Sequence, residues 1–266
     1  MLKRMKCGLA MWTVLLGTAA FSAGCAGGGA AVAQLNAQSP QGTGFVIRTL
    51  GNQPDGRRYG VFIPRSYDGT REYPVILFLH GAFEGGTDPR RAFSVGLGPV
   101  IQEKAATFNY IAIFPQTRGN WGEDTRDLAD AFRALQEVKQ AYRVDRSRVI
   151  LTGLSIGGYG VWAMAEQHPQ VFAALVPMCG YDRPEAVPAI KHIPTWIFHN
   201  SFDPFVSVGD SKVMEKLLRE AGGNVRLTTY PAFGHDVWVR AYREPALWEW
   251  LGQQRRLDRV TAASPR

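Results

Sequence analysis

The chain has 266 residues, of which 45% are hydrophobic and 20% are charged, and its formal net charge at pH 7 is +7. A chain of this length and composition can bury a large hydrophobic core, which excludes a disordered, collagen-like or coiled-coil protein. The positive charge would indicate a nucleic-acid partner only if the basic residues were clustered on the folded part of the chain.

The first 24 residues are typical of an export signal. Three basic residues near the start precede 15 uncharged residues, Cys7 to Phe21, a stretch shorter than a membrane-spanning helix requires. Small residues then lead to Cys25, and this segment resembles the lipobox of bacterial lipoproteins, in which the Cys is acylated. The segment departs from that motif at Ser22, where the lipobox has leucine. Cleavage after Ala33, at the end of an Ala-x-Ala site, is the alternative.

We therefore expect an exported protein, either periplasmic or anchored as a lipoprotein through Cys25, or otherwise secreted. Residues 1–24 are the predicted signal peptide, 25–43 a flexible tether, 44–254 one folded domain and 255–266 a polar tail. The signal carries three bases and no acid, so the remainder has a net charge of +4. Its bases are scattered among acids, and we predict no nucleic-acid partner. The oligomeric state is left open.

Short apolar runs alternate with segments of helical period from Gly44 onward. Residues 45–50 and 59–63 alternate in polarity and predict an antiparallel opening pair. Six further runs are almost continuously apolar, as in strands buried on both faces: 75–79, 110–114, 149–151, 174–176, 196–198 and 225–230. Amphipathic helices are predicted over 124–142, over 213–221 and from Ala246. This order predicts the α/β class, with a mostly parallel sheet of about eight strands and helices on both faces.

The segment Gly153-Leu154-Ser155-Ile156-Gly157 lies between a predicted strand and a predicted helix. In that position a Gly-x-Ser-x-Gly turn holds the serine in a strained conformation and exposes its hydroxyl at the carboxyl end of the sheet. The two glycines let the strand and the helix pack closely around the turn. Ser155 is therefore the candidate nucleophile.

A serine nucleophile needs a general base and an acid that orients the base. Of the five histidines, His235 lies in a loop beyond the last predicted strand, and Asp203 follows the preceding strand, 32 residues earlier. We predict that His235 is the base and Asp203 the acid. His199 is predicted to end a strand as a packing residue.

An oxyanion that forms during acyl transfer needs hydrogen-bond donors. We predict the backbone N–H groups of Ile156, which follows the nucleophile, and of Ala82, in the loop that begins His80-Gly81 after the first central strand. The sequence shows no metal-binding motif, P-loop or dinucleotide fingerprint, so neither a metal nor a cofactor is predicted. Cys179 follows an apolar run and is predicted to be a buried, inert thiol.

Several motifs occur in a consistent order along the chain: His80-Gly81-Ala82, Phe114-Pro115-Gln116 with Trp121, Asp145-x-x-Arg148-Val149 before the serine turn, the Asp203 loop, and Gly234-His235-x-x-Trp238. With these motifs, residues 58–252 resemble the α/β-hydrolase superfamily. Within it they are similar to secreted serine esterases often called predicted peptidases, which are related to polyhydroxybutyrate depolymerases and to feruloyl and acetylxylan esterases. The resemblance implies an α/β-hydrolase fold and a carboxylic-ester hydrolase that forms an acyl-enzyme on Ser155. The chain departs from the pattern at Asn200, where Gly is common, and at Phe83, a bulky residue in the oxyanion loop.

The interval from Cys179 to Ile193 is too short for a cap domain of any size. We therefore expect an open site that accepts bulky, polymeric or glycan-linked esters. Its candidate lining residues are aromatic: Trp121, Tyr159, Phe202, Phe205 and Trp238. Two alternatives remain open, a serine peptidase that uses the same residues and a catalytically inactive surface lipoprotein that binds glycans.

Overall fold

A computed structural model of the chain describes residues 42–52, 56–122 and 126–256. The predicted signal peptide, both predicted processing sites and almost all of the predicted tether lie outside these residues, so export and lipidation stay predictions. Among the described helices, none combines the length and the apolar character that crossing a bilayer requires.

The strands of the described residues form one eight-stranded sheet. In chain order they are β1 (Gly44–Thr49), β2 (Arg58–Ile63), β3 (Tyr73–Leu79), β4 (Ile111–Phe114), β5 (Val144–Leu154), β6 (Ala174–Met178), β7 (Thr195–Phe202) and β8 (Val225–Phe233). Each predicted apolar run lies within, or within one residue of, one of these strands.

The order of the strands across the sheet is β1-β2-β4-β3-β5-β6-β7-β8. β1 pairs with β2, and β2 with β4, in antiparallel fashion, whereas every pair from β4 to β8 is parallel. The carboxyl ends of β3, β5, β6, β7 and β8 therefore meet at one edge of the sheet. In open α/β sheets this edge is where functional loops gather.

In the described part of the chain, seven helices connect the strands or follow them. They are α1 (Leu97–Glu103), α2 (Arg126–Ala141), α3 (Ile156–Gln167), α4 (Val187–Ile190), α5 (Val208–Glu220), α6 (Trp238–Ala241) and α7 (Pro245–Gln253). The sequence pattern predicted α2, α3, α5 and α7. It missed α1, α4 and α6, which are only four to seven residues long and too short to show a helical period.

Two hydrophobic clusters lie on the two faces of the sheet. One packs α2, α3 and α5 against it, through residues such as Leu135, Val161 and Met214. The other packs α1 and α7 against the opposite face, through residues such as Val100 and Leu247. The prediction of a mostly parallel sheet covered on both faces is confirmed. Between β6 and β7 the chain makes only a 3-10 turn, Pro184–Ala186, and the short α4.

The beginning of the predicted polar tail is attached to the domain. Arg255 forms an ion pair with Asp145 at 2.9 Å, and the backbone N–H of Arg256 donates to the carbonyl of Ser147. The Arg256 guanidinium also donates to the carbonyl of Gln170 at 2.7 Å. These two residues therefore fasten the end of α7 to β5 and to the segment before β6.

Candidate active site

Ser155 occupies a sharp turn between β5 and α3. Its backbone has φ 57° and ψ −122°, a conformation that non-glycine residues adopt rarely. The backbone N–H of Ser155 donates to the carbonyl of Met178 at the end of β6, which holds the turn against the neighbouring strand. The strained serine that the motif predicts is therefore present, at the carboxyl edge of the sheet.

The two glycines of the motif are required by close backbone packing. A Cβ atom at Gly157 would lie 2.1 Å from the carbonyl oxygen of Leu79, and one at Gly153 would lie 2.3 Å from the carbonyl oxygen of Gly157. Both distances are far below van der Waals contact. The turn can therefore approach β3 this closely only because these positions lack side chains.

His235 and Asp203 lie next to Ser155, as the sequence predicts. His235 Nε2 is 2.8 Å from Ser155 Oγ, and His235 Nδ1 is 2.6 Å from Asp203 Oδ2. The Asp203 side chain has no exposed surface, and that of His235 is 13% exposed. With the proton on Nδ1, His235 donates to the carboxylate and presents the lone pair of Nε2 to the serine hydroxyl, which is the arrangement that a general base needs.

The Asp203 carboxylate is held in place by its own loop. Its Oδ1 accepts hydrogen bonds from the backbone N–H groups of Phe205 and Val206, at 2.9 and 3.0 Å. His199 is fully buried beneath the loop and its Nε2 donates to the carbonyl of Val206 at 3.0 Å, while its Nδ1 accepts from the hydroxyl of Ser211. Burial lowers the pKa of His199, so this imidazole is a neutral support for the acid loop.

Asn200 connects the strand that leads to Asp203 with the loop that carries His235. Its side-chain amide donates to the carbonyl of Gly234 and to Asp236 Oδ1, both at 3.0 Å. These two residues are the neighbours of His235 on either side. In the sequence, Asn200 stands out only as a departure from the pattern of the similar esterases. Its two hydrogen-bond partners are more than 30 residues away along the chain, so no local pattern identifies them.

The loop after β3 passes directly beside the nucleophile. A Cβ atom at Gly81 would lie 3.7 Å from the Cβ of Ser155. His80 anchors this loop: its Nδ1 donates to the carbonyl of Gly81 at 2.7 Å, and its Nε2 accepts from the backbone N–H of Thr117 at 3.3 Å. Burial lowers the pKa of His80 to about 4, so the ring is neutral at physiological pH.

The two predicted oxyanion donors flank Ser155 on this loop and on the helix. Ile156 is the first residue of α3, where backbone N–H groups have no partner within the helix. Ala82 begins the 3-10 turn Ala82–Glu84, immediately after Gly81. Their assignment as the oxyanion hole stays a prediction that is consistent with this placement.

The predicted lining residues differ in where they lie. Phe205 is 75% exposed and its ring centre is 5.6 Å from that of His235; the partly buried ring of Trp238 is at the same distance from His235. Phe202 is 63% exposed at the end of β7. The hydroxyl of Tyr159 accepts a hydrogen bond from the guanidinium of Arg183 at 2.8 Å, so it is directed towards the segment after β6.

The prediction that Trp121 lines the site is wrong. Its side chain has no exposed surface, and its indole N–H donates to the carbonyl of His80 at 2.9 Å. A buried indole needs such a partner, and the ring packs so closely under α3 that a Cβ atom at Gly160 would lie 2.5 Å from Trp121 Cβ. Trp121 therefore supports the loop after β3 from its buried side.

Cys179 lies behind the acid and the base. The sulfur of Cys179, a carboxylate oxygen of Asp203 and a ring nitrogen of His235 all lie within 4.8 Å of one another, a grouping that could in principle hold a metal ion. Burial raises the pKa of the thiol, whereas a metal ion would need the thiolate. The other two groups are already bonded to each other, and we assign no ion to this cluster. The prediction of a buried Cys179 is confirmed.

The fold and the arrangement around Ser155 define an α/β-hydrolase. Residues 115–183 match the prolyl oligopeptidase family of S9 peptidases. A thermostable esterase of known structure superposes with a TM-score of 0.69 at 32% identity, covering 80% of this chain and 63% of that protein.

Two curated proteins are similar to parts of the chain. Dipeptidyl-peptidase 5 of Porphyromonas gingivalis is 26% identical over 45% of this chain and 19% of its own length. Poly(3-hydroxyalkanoate) depolymerase C of Paucimonas lemoignei is 29% identical over 40% of this chain and 28% of its own length. In each of these three comparisons, the matched part is less than two thirds of the other protein. Together with the fold, these similarities support an α/β-hydrolase of the group that includes esterases and S9 peptidases.

Proposed function

We propose that the protein is a serine carboxylic-ester hydrolase that forms an acyl-enzyme on Ser155. The observation that carries the proposal is the chain of two hydrogen bonds from Ser155 through His235 to the buried Asp203. The similarity to a thermostable esterase and to a poly(3-hydroxyalkanoate) depolymerase supports an ester as the substrate, including a polymeric one.

The proposed reaction has two steps. In the first, His235 Nε2 takes the proton of Ser155 Oγ as that oxygen attacks the ester carbonyl, and Asp203 stabilises the imidazolium. The N–H groups of Ala82 and Ile156 receive the oxyanion, and His235 then protonates the leaving alcohol. In the second step His235 removes a proton from water as the water attacks the acyl-enzyme carbonyl. The bond from that carbonyl to Ser155 Oγ then breaks, His235 returns the proton to Oγ, and the acid is released.

The experiment that tests this function replaces Ser155. We expect Ser155→Ala to lower kcat for a short p-nitrophenyl ester by about four orders of magnitude, because the three residues act as a unit. A fluorophosphonate probe should label the wild type and not the variant. Ser94→Ala, which changes an exposed serine, is the matched control. Hydrolysis by Ser155→Ala at the wild-type rate would refute the role of Ser155 as the nucleophile. A wild type that neither hydrolyses the ester nor reacts with the probe would refute the esterase proposal and favour the inactive glycan-binding alternative.

A serine peptidase is the second candidate. The match of residues 115–183 to the prolyl oligopeptidase family and the similarity to a dipeptidyl-peptidase favour it. The same residues serve both reactions, since an amide differs mainly in its need for a protonated leaving group. Matched substrates that differ only in an ester or an amide bond separate the two. A larger kcat/KM for the amide would replace the esterase proposal with the peptidase.

A further inference from the structure

The charge close to Ser155 is opposite in sign to that of the whole chain, whose formal net charge at pH 7 is +7. Three carboxylates of the described residues lie near the reacting atoms. Asp203 is bonded to His235, Asp236 follows His235 directly, and Glu84 belongs to the 3-10 turn after β3. Because salt screens distant charges, these local carboxylates dominate the potential that a substrate meets.

Glu84 lies beside the nucleophile. A Cβ atom at Gly81 would lie 3.0 Å from Glu84 Oε2 and 3.7 Å from Ser155 Cβ, so the carboxylate and the serine approach the same point. Glu84 is only partly buried. A substrate whose ester carbonyl is at Ser155 therefore brings its neighbouring atoms close to this carboxylate.

The local contacts of Glu84 leave its negative charge in place. Burial raises the pKa of this carboxyl group, and the backbone N–H groups of Glu84 and Gly81, which are neutral donors, lower the pKa by less. The charge of Arg91 also lowers the pKa, but the Arg91 guanidinium donates to the carbonyls of Phe83 and Gly85, at 2.7 and 2.9 Å. In the described structure Glu84 is thus held by neutral donors and not by an ion pair.

Asp236 adds a second negative charge, next to the base. Its Oδ1 accepts from the amide of Asn200 at 3.0 Å, again a neutral donor, and the residue is exposed. The fields of Asp203 and Asp236 extend through the site, because burial raises the pKa of the Cys179 thiol and these two charges raise it further. During the reaction the imidazolium of His235 balances Asp203, whereas Asp236 keeps its charge.

Arg183 is a basic residue near the site, but its charge is balanced. Its guanidinium donates to the hydroxyl of Tyr159, which lies one helical turn after Ser155. The same guanidinium forms ion pairs with Glu166 at 2.7 Å and with Glu185 at 3.2 Å. Arg183 therefore adds no net positive charge that would attract an anionic substrate.

The aromatic rings beside the base also favour a cation. The ring centres of Phe205 and Trp238 are each 5.6 Å from that of His235, and Phe205 is 75% exposed. The face of an aromatic ring is the negative end of its quadrupole and attracts an alkylated ammonium group. An anion gains nothing from these faces and is repelled by the carboxylates.

We propose that the site selects esters that carry a positively charged ammonium group a few bonds from the scissile carbonyl, with Glu84 as the specificity-determining residue. The Glu84 carboxylate attracts the ammonium group while Ser155 attacks the carbonyl. The proposal rests on the proposed esterase function. It defines the substrate class by charge, which the size and openness of the site leave undetermined.

Two substrates of the same shape isolate the charge. Acetylcholine and 3,3-dimethylbutyl acetate differ only in that a quaternary nitrogen replaces a carbon atom, and both transfer an acetyl group. At about pH 8, where carboxylates are ionised, and at low salt, we expect the wild type to have a kcat/KM for acetylcholine at least about tenfold larger than for the neutral ester. Glu84→Gln should lower this ratio about tenfold, and Glu84→Lys should lower it further.

The ratio separates charge from general effects on the loop. A displaced loop would change the rates on both esters, and this change cancels in the ratio. Glu220→Gln removes an exposed carboxylate at the end of α5 that is farther from the acid loop, and it should leave the ratio unchanged. Raising NaCl from about 0.01 M to about 1 M should lower the wild-type ratio and affect Glu84→Gln less. The wild-type ratio and its salt dependence need no variant, so they decide the proposal if Glu84→Gln does not fold.

The outcomes are distinguishable. A wild type that hydrolyses p-nitrophenyl acetate, but prefers the neutral ester or shows no preference, would overturn the charge selectivity and leave the esterase function intact. A preference for acetylcholine that Glu84→Gln leaves unchanged would overturn the role of Glu84. A wild type that hydrolyses none of the three esters would refute the esterase function itself, and the charge selectivity with it.

Discussion

At the scale of single residues, Asn200 is positioned to control the base. Its amide bonds to Gly234 and Asp236 hold both neighbours of His235. We expect Asn200→Ala to lower kcat about tenfold with little change in KM, because His235 would lose its alignment with Ser155 while the substrate surface stays intact. Steady-state kinetics on a short soluble ester across a range of pH measures the effect.

Asp236→Asn is the matched control for this prediction. An amide oxygen at position 236 still accepts from Asn200, so this variant should keep kcat close to that of the wild type. Asp236→Ala removes one of the two bonds and should have an intermediate effect. A stable Asn200→Ala protein with wild-type kcat would show that the Asn200 bonds do not position His235.

The residues of the site were predictable to different degrees. Ser155 could be predicted from a contiguous motif, and Asp203 and His235 could be predicted from their positions after successive strands. The structure brings these three residues together. Trp121 was mistaken for a lining residue because an aromatic residue after a strand has the same local pattern whether it faces the site or the core. His199 was recognised as buried, but its bond to the acid loop depends on how the chain folds back over it.

At the scale of elements, the packing of β3 against the serine turn depends on Gly157. A Cβ atom there would collide with the backbone of Leu79 and His80, and backbone cannot move aside as a flexible side chain can. We expect Gly157→Ala to destabilise the domain by about 3 kcal/mol or more, and to abolish ester hydrolysis by displacing Ser155. Urea unfolding measures the free-energy change.

The same substitution at Gly252 provides the comparison. A Cβ atom at Gly252, in α7, would meet no heavy atom within 4 Å. Gly252→Ala should therefore stabilise the protein by about 0.5–1 kcal/mol through helix propensity. If both alanine variants unfolded at the same urea concentration as the wild type, close packing would not explain why position 157 is glycine.

At the scale of the whole molecule, two buried histidines and a half-buried one link stability to pH. Burial lowers the pKa of His80 to about 4 and also lowers those of His199 and His168, whereas histidines in the unfolded chain titrate near 6.5. Between these values the unfolded state binds more protons than the folded state, so stability falls as pH decreases. From pH 6.5 to 4, His80 alone should cost roughly 3 kcal/mol of unfolding free energy.

Urea unfolding at several values between pH 7 and pH 4 tests this linkage. His80→Gln retains a donor and an acceptor without a titrating ring, and its stability should decline less steeply than that of the wild type over this interval. Above pH 7 the two proteins should show the same pH dependence. An equal slope in both proteins below pH 6.5 would mean that His80 does not titrate differently in the folded and unfolded states.

The amino-acid sequence by itself determined the order of strands and longer helices, the α/β-hydrolase fold and the identity of the candidate nucleophile, base and acid. These features depend on periodicity, turn residues and short motifs, all of which are properties of neighbouring positions. Only the tertiary structure decided that Trp121 supports the loop after β3 from the core, and that Asn200 links β7 to the loop that carries His235. Those features depend on distances between segments far apart in the chain, which local patterns do not encode.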